Sequence, residues 1–370
     1  MRFWRFAGTV WIATQLLACG GGQQGTRAQA LPPADAGALN KMVRAVDDAN
    51  AQRSQAIELL QQAVADDPTL WEARYNLGVL LAERGELSQA ETHLEKAAEL
   101  APNAEDVAVA LGEVRRRRGE PKAAAAGLQQ FVRSFPLADG ARAVLVGALR
   151  EAGEYDAALE QARQILVRRA NDPSALAELA LTHMARGELD TAELLSAEAL
   201  KAAKPTATAE RTAGLLALES GDDAKAFRHF ERASEIDPKD HTSQINIGNV
   251  LLKAGVYGKA EQHFRAVLAL NPDDKAANLG LAAALRGRGS RDKKDSYLEA
   301  ERVLKQLLER RPSDLEATFN LGVLYGRFLG RPSEASQLMR TFLSEAPGEH
   351  PSRPIAEDIL KAAASPTTPN

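Results

Sequence analysis

Prolines recur along this 370-residue chain with a nearly constant step. Pro68, Pro102 and Pro136 are 34 residues apart, and Pro173, Pro205, Pro238 and Pro272 follow at steps of 37, 32, 33 and 34. Pro312 comes 40 later and Pro347 another 35, so the longer steps read as local insertions. A fixed period of this length means a repeated supersecondary unit that can bury its apolar face only against its neighbours. Length alone suggests two domains. The repeat replaces that expectation with one cooperative stack.

Within the period the same residue types return at the same offsets. Residues 71–102, WEARYNLGVLLAERGELSQAETHLEKAAELAP, carry Leu77-Gly78, Leu81, Gly85, Ala90, Leu94, Ala97 and Pro102. Residues 241–272 repeat this with Ile247-Gly248, Leu251, Gly255, Ala260, Phe264, Val267 and Pro272. Residues 207–238 carry Gly214, Gly221, Ala226, Phe230, Ala233 and Pro238, and residues 315–347 carry Leu321-Gly322, Tyr325, Ala335 and Pro347. Apolar residues at three- and four-residue offsets, in a chain rich in Ala, Leu, Glu, Lys and Arg, predict amphipathic helices. The chain has little alternating, β-branched sequence to suggest a sheet. The early glycine (Gly78, Gly112, Gly214, Gly248, Gly322) permits close approach of the two helices of a unit, with Val146, Ala180 and Ala282 in its place elsewhere. The later glycine (Gly85, Gly119, Gly153, Gly187, Gly221, Gly255, Gly289) is expected to end the first helix in a left-handed conformation. Proline at the unit's end stops the second helix or opens the next unit.

This pattern resembles the tetratricopeptide repeat, over about residues 38–348. The resemblance implies an all-α solenoid, a right-handed superhelix of about eight or nine antiparallel helix pairs, each with a helix A and a helix B. Eight units follow Asp67. A weaker one precedes them, with Ala56, Leu60, Ala63 and Pro68, and Arg44 standing where the helix-A glycine belongs. A capping helix is expected at about Ile355 to Ala364, within a C-terminal segment 349–370 whose last residues, Ser365 to Asn370, are frayed. The stretch RDKKDS, 291–296, reads as a solvated turn that lengthens the eighth unit's loop.

The N-terminus carries a second signal. Met1-Arg2-Phe3-Trp4-Arg5 is basic, and Phe6 to Ala18 is an apolar run too short to span a bilayer but suited to a secretory signal. The chain's one cysteine, Cys19, follows Leu16-Leu17-Ala18. A lone cysteine has no intrachain disulfide partner and no cysteine partner at a zinc site. The placement resembles the lipobox of bacterial lipoproteins, which implies removal of residues 1–18 and acylation of Cys19, where several acyl chains give stable anchoring. Residues 19–37 then read as a flexible tether. The alternative is an uncleaved N-terminal helix with an incidental cysteine. Gly20 takes the place of the aspartate that retains many lipoproteins at the inner membrane, so the periplasmic face of the outer membrane is expected, with the inner membrane as the alternative.

Composition and motifs narrow the function. There are 46 basic and 50 acidic residues, net −4; removal of Arg2 and Arg5 leaves 44 against 50, or −6. A mildly acidic protein is a poor non-specific binder of nucleic acid. The sequence has no GxxxxGK[ST], HExxH, GxSxG, or GxGxxG after a strand, and no arrangement of acid, base and nucleophile. No enzyme activity, cofactor or metal is expected. His93, His229 and His263 share one place in helix B and read as exposed positions on the outer layer.

In the tetratricopeptide family, positions 2, 5, 9, 12 and 13 of helix A face a ligand in the concave groove. Counting Trp71 as position 1 of its unit, position 9 supplies Leu181 and Leu215, and position 12 supplies Met184, Leu218 and Leu252. Arg116, Arg150 and Arg286, also at position 12, flank this apolar centre. Such a groove suits a helix or extended peptide with an apolar centre and acidic ends. The alternative is that these side chains pack on the next repeat. The run Arg115-Arg116-Arg117-Arg118 also suits the C-terminus of its helix. The chaperone-type carboxylate clamp is absent, since Ile245, Ala276 and Gly280 stand where it needs basic residues. The layout resembles envelope lipoproteins of the type IV pilus and gliding-motility machineries. The expectation is a lipid-anchored scaffold that binds another protein and supports assembly of a motility, pilus or secretion complex. A regulator of cell-wall synthesis enzymes is the alternative.

Overall fold

The computed structural model describes residues 33–48, 53–238, 240–290 and 294–364. Cys19, the signal segment and most of the tether lie outside them. Every regular element among the described residues is helical, and none of these helices is long and apolar enough to cross a membrane. The chain divides into two compact units, one ending at Thr212 and one beginning at Ala213. The repeat period predicts a single stack; in a chain whose contacts are mostly nearest-neighbour, few cross any one boundary, so division into units costs little.

Unit 1 contains five helix pairs: α1 (Ala36–Asp48) with α2 (Arg53–Asp66), α3 (Trp71–Glu83) with α4 (Leu87–Leu100), α5 (Glu105–Arg117) with α6 (Pro121–Ser134), α7 (Asp139–Glu151) with α8 (Tyr155–Arg168), and α9 (Pro173–Ala185) with α10 (Leu189–Leu200). Helix α11 (Ala207–Glu219) carries the boundary. Unit 2 continues with α12 (Asp223–Ile236), the pairs α13 (His241–Lys253) with α14 (Tyr257–Leu270) and α15 (Lys275–Arg288) with α16 (Lys294–Arg310), then α17 (Leu315–Leu324), α18 (Pro332–Glu345) and the terminal α19 (Arg353–Ala364). Helix α1 starts two residues before the expected start of the repeats at 38, and α19 two before Ile355.

The two glycines of the period do different work. At Gly78 a Cβ would stand 2.7 Å from the Leu94 side chain; at Gly248 it would stand 2.6 Å from the Phe264 ring. Helix A therefore rests its backbone directly on the large residue at position 24 of its own helix B. Gly85 instead ends helix A at φ 85°, its N–H donating to the carbonyl of Ala82 while Glu86 N–H donates to that of Leu81. This pairing satisfies the last helical carbonyls and needs the left-handed conformation. Gly289 departs from the expectation. Its φ is −65°, and the left-handed residue that follows in sequence is Gly330.

Three local differences have physical causes. In the first pair, Ala38 and Met42 are buried as Ala73 and Leu77 are, 35 residues on, so α1 is shifted by one residue. Val43 then takes the glycine's place, and Arg44 is exposed. In the last pair one extra residue separates Gly322 from Ala335, compared with Gly78 and Ala90. The chain absorbs it as a π-helical turn, Tyr325–Leu329, closed by Gly330. Of the expected solvated turn, Lys294 to Ser296 form an added first turn of α16; residues 291–293 lie outside the described residues.

The helix-B histidines are less exposed than their sequence pattern predicts. His229 is buried, while His93 and His263 are half-buried. Burial lowers the pKa of both half-buried rings, helped by Arg74 at His93 and Lys259 at His263. His263 Nδ1 lies 2.7 Å from Gln244 Oε1 on α13. Position 23 of helix B is thus a packing position within its unit, not an outer one.

Candidate functional site

The arginine run at the end of α5 is divided between two faces of one helix. Arg115 Nε donates to Glu91 Oε1 at 2.7 Å and its Nη2 to Glu95 at 2.5 Å, while Arg118 pairs with the other oxygen of Glu91. Glu91 is buried at position 21 of its helix B, so the two arginines satisfy a carboxylate that burial alone would penalise. Unit 2 repeats this contact 27 residues apart, as unit 1 does: buried Glu261 pairs with Arg288 and with Arg265 at 2.9 Å. Burial pushes the Glu261 carboxyl up, but Arg288 and Arg265 outweigh it and hold it below its ordinary value. These carboxylate–guanidinium rivets were missed in the sequence. Their signal is a Glu at position 21 followed by an Arg at position 14 of the next unit.

Arg116 turns the other way, onto the helix-A face of unit 1. Its Nη1 donates to Glu113 at 2.7 Å and its Nε to Glu151 at 3.0 Å, with Nη2 completing a bidentate contact to Glu151. Gly147 makes room for it, since a Cβ there would meet the guanidinium carbon at 2.8 Å. Burial works against the charge, but Glu113 and Glu151, with Glu178, more than offset it and hold the group above its ordinary pKa. Arg150 lies 3.6 Å from buried Glu178 and 3.9 Å from Glu151. Two of the three arginines expected to meet an acidic partner are therefore already paired inside unit 1. Leu181, with 6 % exposure, has little surface to offer, and Met184 is half-buried.

Unit 2 is arranged differently. Leu215, Leu218 and Leu252 are half-buried, packed by one side on a core that includes Ile247, Leu251 and Phe264. Arg286 is half-buried on α15 and has one described hydrogen bond, from Nη1 to Asn320 Oδ1 at 3.3 Å. Burial and the neighbouring Arg327 lower its pKa, against a weaker opposing effect of Tyr257. The Tyr257 ring lies over the backbone of Gly287, where a Cβ would be 2.4 Å away. Of the expected site residues, the structure thus brings Arg116 and Arg150 into one charge cluster in unit 1. It leaves the three leucines and Arg286 as the apolar and cationic parts of the helix-A face in unit 2.

Sequence profiles of the tetratricopeptide repeat match residues 49–114, and again 109–175, 245–293 and 291–350. Together these ranges cover more than half of the chain. The chain belongs to the tetratricopeptide-repeat family. No curated protein sequence matches it. Among solved structures, this tetratricopeptide-repeat protein is similar to a chain of the APC/C hetero-tetramer Cut9-Hcn1. The identity is 17 % and the TM-score 0.58; the match covers 88 % of this chain and spans 62 % of that one. The likeness is one of fold. It is also similar to PilW, a widely conserved type IV pilus biogenesis factor, at 17 % identity and TM-score 0.45, covering 59 % of this chain and 100 % of that one. That likeness is too distant to carry an argument. Tetratricopeptide repeats are protein-interaction scaffolds, and partner binding is the activity this fold serves.

Proposed function

We propose that this protein is a lipid-anchored scaffold of the bacterial cell envelope, tethered through Cys19 to the periplasmic face of the outer membrane. It docks a segment of another protein on its helix-A face and supports assembly of a motility, pilus or secretion complex. The docking surface comprises Leu215, Leu218, Leu252 and Arg286 of unit 2. The observation that carries the docking part is the set of three half-buried leucines at ligand-facing repeat positions, apolar where a solvated helix face would be polar. Lipid anchoring rests on the basic, apolar and cysteine order of residues 1–19.

Two experiments test the two parts separately. Photo-crosslinkers placed at Leu218 and Leu252 in living cells should trap one envelope protein, and Leu218→Glu with Leu252→Glu should abolish capture while circular dichroism stays helical. Unfolding of that double variant would make the leucines core residues and remove the docking surface. Fatty-acid labelling with membrane fractionation should show label and outer-membrane residence lost together in Cys19→Ala. An unlabelled, soluble wild type would reject the anchor and leave the scaffold.

A further inference from the structure

The position-12 arginines can be compared in register, because each has the same four neighbouring places for a carboxylate. Two are on its own helix A, at positions 9 and 13, and two are on the next helix A, at positions 6 and 13. Arg116 uses position 9, Glu113, and the next unit's position 13, Glu151. Arg150 uses its own position 13, Glu151, and the next unit's position 6, Glu178. Around Arg286 the four places hold Ala283, Gly287, Asn320 and Arg327. Every position that supplies a counter-charge in unit 1 is apolar, neutral or cationic here. Among the described residues, Arg327 pairs only with Asp358, at 3.8 Å on α19, and both side chains are largely exposed.

A half-buried guanidinium beside a second guanidinium is poorly solvated and is repelled by its neighbour. A carboxylate at this point would relieve both effects through charge-assisted, bidentate hydrogen bonds. Asn320 is already placed at 3.3 Å, and the Tyr257 ring closes one side over Gly287. We infer that Arg286, Arg327 and Asn320 form a carboxylate-receiving site for the docked partner segment. This deepens the docking reading and rests on it. Leu252 occupies position 12 on the neighbouring helix A, about 10 Å away at helix-packing distance. An extended segment covers that in about three residues. The segment recognised therefore carries an Asp, a Glu or its own C-terminal carboxylate about three residues from an apolar anchor.

The test is selection from a library of random 12-residue peptides with free C-termini, using the full chain carrying Cys19→Ala to keep it unacylated. The expected winners combine an apolar anchor with a carboxylate at that spacing. Arg286→Gln should weaken them about tenfold or more, Arg286→Lys should weaken them less, keeping the charge but losing the bidentate geometry, and Arg116→Gln should change the affinity little because that arginine is already paired. Winners without a carboxylate, sensitive to Leu218→Glu with Leu252→Glu but indifferent to Arg286→Gln, would overturn the carboxylate site and leave the docking reading standing. No selection, or selection indifferent to the leucines, would overturn the docking reading and this site with it.

Discussion

The two units build one repeat with different chemistry. In unit 1 the residue at position 24 of helix B is Leu60, Leu94, Leu128, Ala162 or Ser196, and the facing helix-A residue at position 8 is Val43, Gly78, Gly112, Val146 or Ala180. In unit 2 the same pairs are Phe230 with Gly214, Phe264 with Gly248, Leu304 with Ala282, and Met339 with Gly322. Where helix B carries Phe, Met or Leu, helix A is glycine or alanine, except at Val43, which faces Leu60; where helix B shrinks to Ala162, helix A grows to Val146. At the Phe, Met and Ala162 crossings the two side chains trade volume, as expected of interiors packed to nearly constant density; Leu60 with Val43 and Ser196 with Ala180 do not. Unit 2 takes this furthest: Phe264 is fully buried between Gly248 of its own helix A and Gly280 of the next, where a Cβ would stand 2.3 Å from the ring.

The largest expected effect comes from breaking that fit. Phe264→Ala should destabilise unit 2 by about 3–5 kcal/mol, the usual cost of deleting a buried aromatic ring. Gly248→Leu should also destabilise, by about 1–3 kcal/mol, because the added side chain enters the ring's space. Combining them sets a large helix-A residue over a small helix-B one, as Val146 is set over Ala162. Urea melts followed by circular dichroism should then show the pair recovering about 0.5–3 kcal/mol relative to the sum of the singles. Strict additivity would mean that the volumes are not coupled and that the sequence correlation between positions 8 and 24 has another origin.

Much of this is legible in the sequence. The helix pairs, their glycines and the terminal helix follow from spacing, because packing against identical neighbours ties each position to one environment. The failures are equally local. Gly289 looked like a helix terminator because it falls in step, yet the added turn of α16 changes the connection and its φ stays negative. Arg44 was placed by counting 34 residues, while the buried Ala38 and Met42 show 35. Arg116 and Arg150 each have one partner in the next repeat, Glu151 at 35 residues and Glu178 at 28, and only the register brings those carboxylates into reach.

A smaller effect probes the charge difference. Asn320→Glu supplies unit 2 with the carboxylate that Glu178 gives Arg150. It should stabilise unit 2 by about 0.5–1 kcal/mol, as expected for a partly exposed pair, and abolish binding of acidic peptides by filling their place. Glu151→Gln in unit 1 should do the reverse to stability, at a cost of about 1–3 kcal/mol, since it leaves the Arg116 guanidinium with Glu113 alone. If Asn320→Glu leaves both stability and peptide binding unchanged, Arg286 does not sense that position and the register argument fails in unit 2.

The smallest difference is in how helix A begins. In unit 2, Asp240, Asp274 and Asp314 each accept from backbone N–H groups in the first turn; Asp274 takes Ala277 N–H at 2.8 Å. In unit 1, Asp35 and Asp172 do the same for α1 and α9, but Leu70, Ala104 and Ala138 stand at the same place with no side-chain bond. The backbone does not forbid one at Ala104, whose φ −79° and ψ 106° lie close to the −63° and 113° of Asp274. Ala104→Asp should therefore add about 0.5–1 kcal/mol to unit 1, and Asp274→Ala should remove about 1 kcal/mol from unit 2. The two changes together should bring the melting behaviour of the units closer. A gain at Ala104 well below the loss at Asp274 would point to Glu105 and Asp106, already acidic in the first turn of α5. A third carboxylate there repels the two that complement the helix dipole, and the cap's hydrogen bond is offset by that repulsion.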